Sequence, residues 1–144
     1  METMNNLDTI HKVKLILVDD NLPFRTALKK LLEIQYGCIV IAEASNGEEF
    51  LELNNIPDAD MILMDLMMPK MDGYNAAKII TWRYPFLKIV AITMHYDNAY
   101  LFDLIEKGFK GCILKSDLYN KIYDAIITIQ KGDLFFPKEL LLKK

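Results

Sequence analysis

The sequence predicts an α/β fold, a parallel sheet covered by helices on both faces. Two observations carry the prediction. Short apolar runs alternate with helical patterns from end to end, and each run is too short for a helix and bounded by polar or turn residues. The runs are also apolar almost throughout, as strands buried on both sides are. Strand–helix units in series give parallel strands joined by right-handed crossovers.

The strands fall at Val13–Val18, Ile39–Ala44, Met61–Met64, Lys88–Ile92 and Gly111–Leu114. The helices lie near 22–35, 46–54, 73–84, 97–107 and 117–131. Pro23 suits a first helical turn, where its missing N–H costs nothing. Asp72 can cap the third helix, and Ser116 or Asp117 the last. Gly37, Gly108 and Gly132 each follow a helical pattern, where a left-handed residue ends it. Leu118, Ile122, Ala125, Ile126 and Ile129 form a core-facing stripe on the last helix. Residues 1–12 are polar and read as a flexible segment, and 13–131 as one domain. Residues 132–144 read as a docked tail or the start of a linker to something absent.

The composition excludes several classes of function. A 52% hydrophobic and 26% charged chain of 144 residues is an ordinary globular domain with a real core. A net charge of −3 gives no electrostatic case for nucleic-acid binding; Lys138, Lys143 and Lys144 read as a solvated tail. No stretch has the length of a membrane span, and the N-terminus lacks the apolar centre of a signal peptide, so a cytoplasmic location is expected. Cys38 and Cys112, without metal-ligand spacing, read as reduced core thiols.

The topology delivers chemistry to the C-terminal edge of the sheet, where open α/β sheets bind ligands. Asp19 and Asp20 follow the first strand, Asp65 the third, Thr93 the fourth and Lys115 the fifth. At about 5 Å and an effective dielectric near 20, each carboxylate pair repels by roughly 3 kcal/mol. Protons, a lysine or a metal must relieve that. All-oxygen ligands favour Mg²⁺, with Asp20 and Asp65 as direct ligands, Asp19 acting through water, and a carbonyl after Asp65, that of Met67, completing the set. One carboxylate can then attack phosphorus, Lys115 can pair with a phosphoryl oxygen, and the Thr93 hydroxyl can bond another. No Gly-rich phosphate loop exists, so the donor is not expected to be bound ATP.

The set Asp19-Asp20, Asp65-Leu66-Met67-Met68-Pro69-Lys70-Met71-Asp72-Gly73, Thr93 and Lys115 resembles the receiver domain of two-component response regulators over residues 13–131. The stretches Ala91–His95 and Gly108–Lys115 resemble the NarL/FixJ (LuxR-type) branch. The resemblance implies a flavodoxin-like (βα)5 three-layer sandwich with strand order 2-1-3-4-5. It implies that Asp65 accepts a phosphoryl group from a phosphohistidine on a sensor histidine kinase. A conformational switch would follow, with transcriptional output through a DNA-binding domain absent here. It also implies a homodimer, through the first and fifth helices or through the helix 4–strand 5–helix 5 face. Receivers usually carry Tyr or Phe three residues before the lysine, where its rotamer reports phosphorylation; here that residue is Cys112.

Two rivals stand beside this reading. A Mg²⁺-dependent phosphohydrolase with an aspartyl-phosphate intermediate carries a second Asp two residues after the nucleophile, a place held here by Met67. A stand-alone receiver or phosphorylation-independent interaction module is the other, motivated by Cys112. His95 reads as a pH-sensitive neighbour of the site or an exposed loop residue, and His11 as inert. Met61, Met64, Met67, Met68, Met71 and Met94 read as core and loop packing rather than copper ligands. Tyr96, Tyr100, Leu101, Phe102, Leu104 and Ile105 crowd the fourth helix, which suggests an exposed apolar patch there.

Overall fold

The computed structural model describes residues 10–137. Five strands form a single parallel sheet: β1 (Lys14–Val18), β2 (Ile39–Ala44), β3 (Met61–Asp65), β4 (Ile89–Thr93) and β5 (Gly111–Leu114). They run in the order β2-β1-β3-β4-β5, all neighbours parallel. The helices are α1 (Leu22–Lys30), α2 (Gly47–Leu51), α3 (Gly73–Arg83), α4 (Asn98–Glu106) and α5 (Leu118–Gln130). This is the expected flavodoxin-like sandwich.

The sheet separates two apolar cores. One joins Ile16, Val18, Ile62, Met64 and Ala91 to Phe50, Ala76, Ile80, Leu101 and Leu104 of α2, α3 and α4. The other joins Leu15, Leu17, Leu63, Val90 and Ile113 to Leu28 of α1 and the predicted α5 stripe. Alternation along each strand supplies both faces, which is why β3 and β4 are buried at every position. Strand β2 departs from that pattern. It lies at the sheet edge, and only Ala44 is fully buried.

Local signals explain most element ends. Asn21, Asn46, Asp72 and Asp97 cap their helices by accepting from the backbone N–H groups of Phe24, Glu49, Asn75 and Tyr100, at 2.8–3.0 Å. Gly37, Gly108 and Gly132 all take positive φ. Two expectations are corrected. Neither Ser116 nor Asp117 caps α5 through its side chain; a 3₁₀ turn, Lys115–Asp117, feeds straight into the helix. Helix α2 stops at Leu51, three residues short of the expected end at 54, before a 3₁₀ turn at Ile56–Asp58 that carries Pro57. Helix α1 continues over 31–35 as a wider π-helical turn, which buries Leu32 and lets Glu33 accept from the Val40 N–H.

At the ends of the chain, Ile10 is fully buried within the α1/α5 core, so the segment expected to be flexible over 1–12 includes a packed residue. Residues 1–9 lie outside the described residues, as do Lys138, Leu140–Leu142, Lys143 and Lys144. The segment after α5 docks against the edge of β5. The Phe135 N–H donates to the Lys110 carbonyl and its carbonyl accepts from the Cys112 N–H, both at 2.9 Å. Both cysteines are buried and unpaired. Among the described residues no helix is long and apolar enough to cross a membrane.

Candidate functional site

Strands β1 and β3 are neighbours, with Val18 paired to Met64, so the residues that follow each strand meet at one rim. Asp19, Asp20 and Asp65 each offer a carboxylate oxygen, and these oxygens all lie within 4.8 Å of one another. Asp19 and Asp65 are only 4% and 5% exposed, while Asp20 faces solvent. Backbone N–H groups orient the buried pair: Asn21 donates to Asp19 Oδ1 at 2.8 Å and Met67 to Asp65 Oδ1 at 3.1 Å.

Among the described residues one cation lies in ion-pair range of these carboxylates. Lys115 Nζ lies 3.0 Å from Asp19 Oδ2 and 3.7 Å from Asp65 Oδ2. The Phe24 ring supports the ammonium, with its centroid 4.4 Å away. A single ammonium does not neutralise three carboxylates. Asp19 Oδ2 is buried and, although next to Lys115, accepts no well-aligned hydrogen bond. Burial pushes the Asp65 carboxyl up to about 6; the Asp19 and Asp20 charges add to that, against the Met67 N–H and Lys115. Close hard oxygen donors, one under-bonded and one reluctant to ionise, suit a divalent cation of the Mg²⁺ type.

The supporting framework was harder to see in the sequence. Arg25 donates to the Asp19 carbonyl, and its Nε lies 2.8 Å from Glu43 on β2. Lys29 adds a second contact to Glu43 at 3.4 Å. Burial would raise the Glu43 pKa, but the hydrogen bonds and charges of Arg25 and Lys29 hold it below the usual value. Phe24 and Arg25 lie one turn into the helix that follows the acid pair, which is the signal that could have found them. Behind Asp65, the start of α3 approaches so closely that a Cβ at Gly73 would sit 2.2 Å from the Asp65 carbonyl oxygen.

Thr93 and Met67 reach the rim differently from each other. Thr93 ends β4 and is 3% exposed, and its hydroxyl donates to the His95 carbonyl at 3.1 Å. The Met67 side chain is 71% exposed beside the site, as Met94 is, whereas Met61 and Met64 lie in the core. The His95 ring is exposed, and so is that of His11. On α4 the crowded apolar residues mostly turn inward: Leu101 and Leu104 are buried, Tyr96, Tyr100 and Ile105 pack partly against the core, and Phe102 stays exposed.

The model of the response regulator receiver domain family matches residues 15–127. The transcriptional regulatory protein LnrK of Bacillus subtilis is 34% identical over 128 residues, 89% of this chain and 58% of LnrK. The regulator LiaR of the same organism is 36% identical, over 84% of this chain and 57% of LiaR. The chain thus spans little more than half the length of these relatives. Among solved structures, a LuxR-family response regulator from Aurantimonas sp. superposes with a TM-score of 0.82 at 27% identity, covering 92% of this chain and 94% of that one. The isolated receiver domain of RcsB from Salmonella enterica, solved with the phosphomimetic BeF₃⁻, gives 0.78 at 27%, covering 92% and 98%. With the strand order and the acid rim of its fold, the chain belongs to the response regulator receiver family, on the NarL/LuxR branch.

Proposed function

We propose that this domain is a phosphorylation switch in which Asp65 takes a phosphoryl group from the phosphohistidine of a sensor histidine kinase. The observation that carries this reading is the under-neutralised rim: three carboxylates within 4.8 Å, with the Asp65 pKa raised to about 6. Asp20 and Asp65 would hold Mg²⁺ directly, Asp19 through water, with the Met67 carbonyl as a further ligand. The ion would supply neutralisation of the charge that gathers as phosphorus changes partners. An Asp65 oxygen forms the new O–P bond, the donor P–N bond breaks, and the leaving imidazole nitrogen takes up a proton. Lys115, already 3.7 Å from Asp65, pairs with one phosphoryl oxygen. Thr93 reaches another by turning its hydroxyl away from the His95 carbonyl.

The place of a hydrolytic acid two residues past Asp65 belongs to Met67, a thioether that cannot donate a proton, so the acyl phosphate is a signal and not a turnover intermediate. Transcriptional output through a DNA-binding domain fits the relatives' names and lengths. RcsB dimers have been solved bound to DNA, and a homodimer through α1 and α5 or the α4–β5–α5 face fits the same pattern here. A location in the cytoplasm goes with that role.

Intact mass after incubation with acetyl phosphate tests the proposal. Wild type with Mg²⁺ should gain the mass of one phosphoryl group, and neither Asp65→Asn nor wild type in chelator should do so. An equal gain by Asp65→Asn, or none by wild type, contradicts it. Sustained release of phosphate from a generic phosphomonoester would favour the phosphohydrolase instead.

A further inference from the structure

The outer edge of β5 is occupied by the chain itself. Phe135 pairs with Gly111 in parallel register, with its N–H on the Lys110 carbonyl and its own carbonyl on the Cys112 N–H. Phe135 packs against the α1/α5 core and Phe136 against the opposite one, so the two rings straddle the sheet as successive residues of a sixth strand would. Gly111 permits the approach: a Cβ there would lie 2.9 Å from the Phe135 carbonyl oxygen. The grip is nevertheless slight. Leu134 is exposed, both rings are only half-buried, and Phe136 and Pro137 border a cleft of about 640 Å³ shared with Leu114, Asp117, Lys121 and Asp124. Two hydrogen bonds and two half-buried rings offset the entropy of ordering this segment only narrowly, so it opens at less cost than the core. Lys131, Gly132 and Asp133 before it are exposed. Gly132 has a φ of +97°, and among the described residues nothing beyond its chain neighbours comes within 4 Å of its Cβ position, so the joint can turn without a clash.

We infer that the β5 edge is a strand-addition surface, closed by the chain's own Leu134–Pro137 and open, when that segment swings out about Gly132, to the same segment of a second copy. When the segment leaves, the Cys112 N–H and the Lys110 carbonyl lose this partner, and an uncovered edge is a template for another strand. The second copy is the partner because its fit is already on display. A strand supplied in trans makes the contacts that the strand in cis makes, and only the joint at Gly132 and Asp133 changes. The exchange is reciprocal, so it closes as a two-fold dimer and does not run on into a fibre. Such a dimer is held by exchanged backbone hydrogen bonds, not by packing of helix faces, and it does not depend on the phosphoacceptor reading.

Two full-chain variants test this by complementation. Phe135→Asp keeps the edge and spoils the segment, because a carboxylate cannot take the place of a half-buried ring. Gly111→Ala keeps the segment and spoils the edge: the Ile129 methyl it meets can turn aside, but the Phe135 carbonyl cannot stay on the Cys112 N–H. The readout is hydrogen exchange of the Cys112 amide in isotope-labelled Phe135→Asp, at about 1 mM of each chain, the effective concentration that a short tether gives the segment in cis. Alone, that amide should be unprotected. Unlabelled Gly111→Ala should restore its protection by about tenfold or more, and unlabelled Phe135→Asp should not. No restoration by Gly111→Ala, or equal restoration by both, would overturn the inference. Wild type supplies a measurement that needs no variant. Its Cys112 and Phe135 amides should exchange together, about tenfold or more faster than the β4 amides and slower than exposed loops. Exchange at the β4 rate would show a segment that does not leave, and exchange at the loop rate one that is not docked; either would overturn the inference.

Discussion

The rim formed by β1 and β3 and the cluster at the end of β4 both bury polar side chains, but they leave them in opposite conditions. At the rim, Asp19 and Asp65 carry charge that one lysine cannot cancel, and Asp19 Oδ2 lacks a proper hydrogen bond. At β4, the Thr93 hydroxyl is neutral and donates to the His95 carbonyl. The first region stores an electrostatic cost that a cation removes. The second stores a hydrogen bond that can be exchanged. A switch needs both, because a site that only attracts ligands changes nothing elsewhere.

The largest expected effect comes from moving the backbone behind the acids. Gly73→Ala places a methyl group 2.2 Å from the Asp65 carbonyl, so α3 must shift, and urea denaturation should show a loss of about 3 kcal/mol. Wild-type stability would mean that the rim is not held as rigidly as the structure shows.

Next comes the charge itself. The Asp65 pKa rises from 3.8 to about 6 on folding, so ionisation opposes folding as pH climbs between those values and the full cost applies above 6. Asp65→Asn should therefore stabilise the metal-free protein at pH 7.5 by up to about 3 kcal/mol. The gain should vanish below about pH 4, where the group is protonated in both states, and should shrink in Mg²⁺. Lys115→Met works in the opposite direction. It leaves the Asp19–Asp65 pair without its cation, and should cost about 2 kcal/mol in chelator, part of which Mg²⁺ restores.

The smallest effect sharpens the contrast. Thr93→Val keeps the shape and removes the hydroxyl, at a cost of about 1 kcal/mol. Thermal melts should show that cost to be the same with and without Mg²⁺ and across pH 5–8. A Mg²⁺-dependent cost would show that Thr93 belongs to the charged rim.

The acid rim was legible because it follows from topology alone. Once Val13–Val18 and Met61–Met64 are parallel neighbours, the residues that follow them must meet. The α5 stripe was legible for a similar reason, since its period of 3.6 is a property of the chain. Side-chain directions were not. Nothing in the sequence says that Thr93 turns to the His95 carbonyl, because a hydroxyl at a strand end has several acceptors within reach. Tyr100 was visible only as one more apolar residue on a crowded helix; that it packs partly on the core and borders one cleft with Thr93 is something no spacing along the chain reports. The start of α5 was misjudged because Ser116 and Asp117 have capping chemistry, and a 3₁₀ turn continuing into the helix makes the cap unnecessary. The docking of Phe135 on β5 was equally out of reach, since either a docked tail or a linker suited its composition.

The central claim is that charge left unrelieved at Asp65 prepares it for a cation and a phosphoryl group. Titration of the Asp65 side-chain carboxyl carbon by NMR measures this directly. In chelator it should titrate near 6, and saturating Mg²⁺ should drive the midpoint well below the ordinary carboxylate value. A midpoint near 3.8 in both conditions would contradict the account.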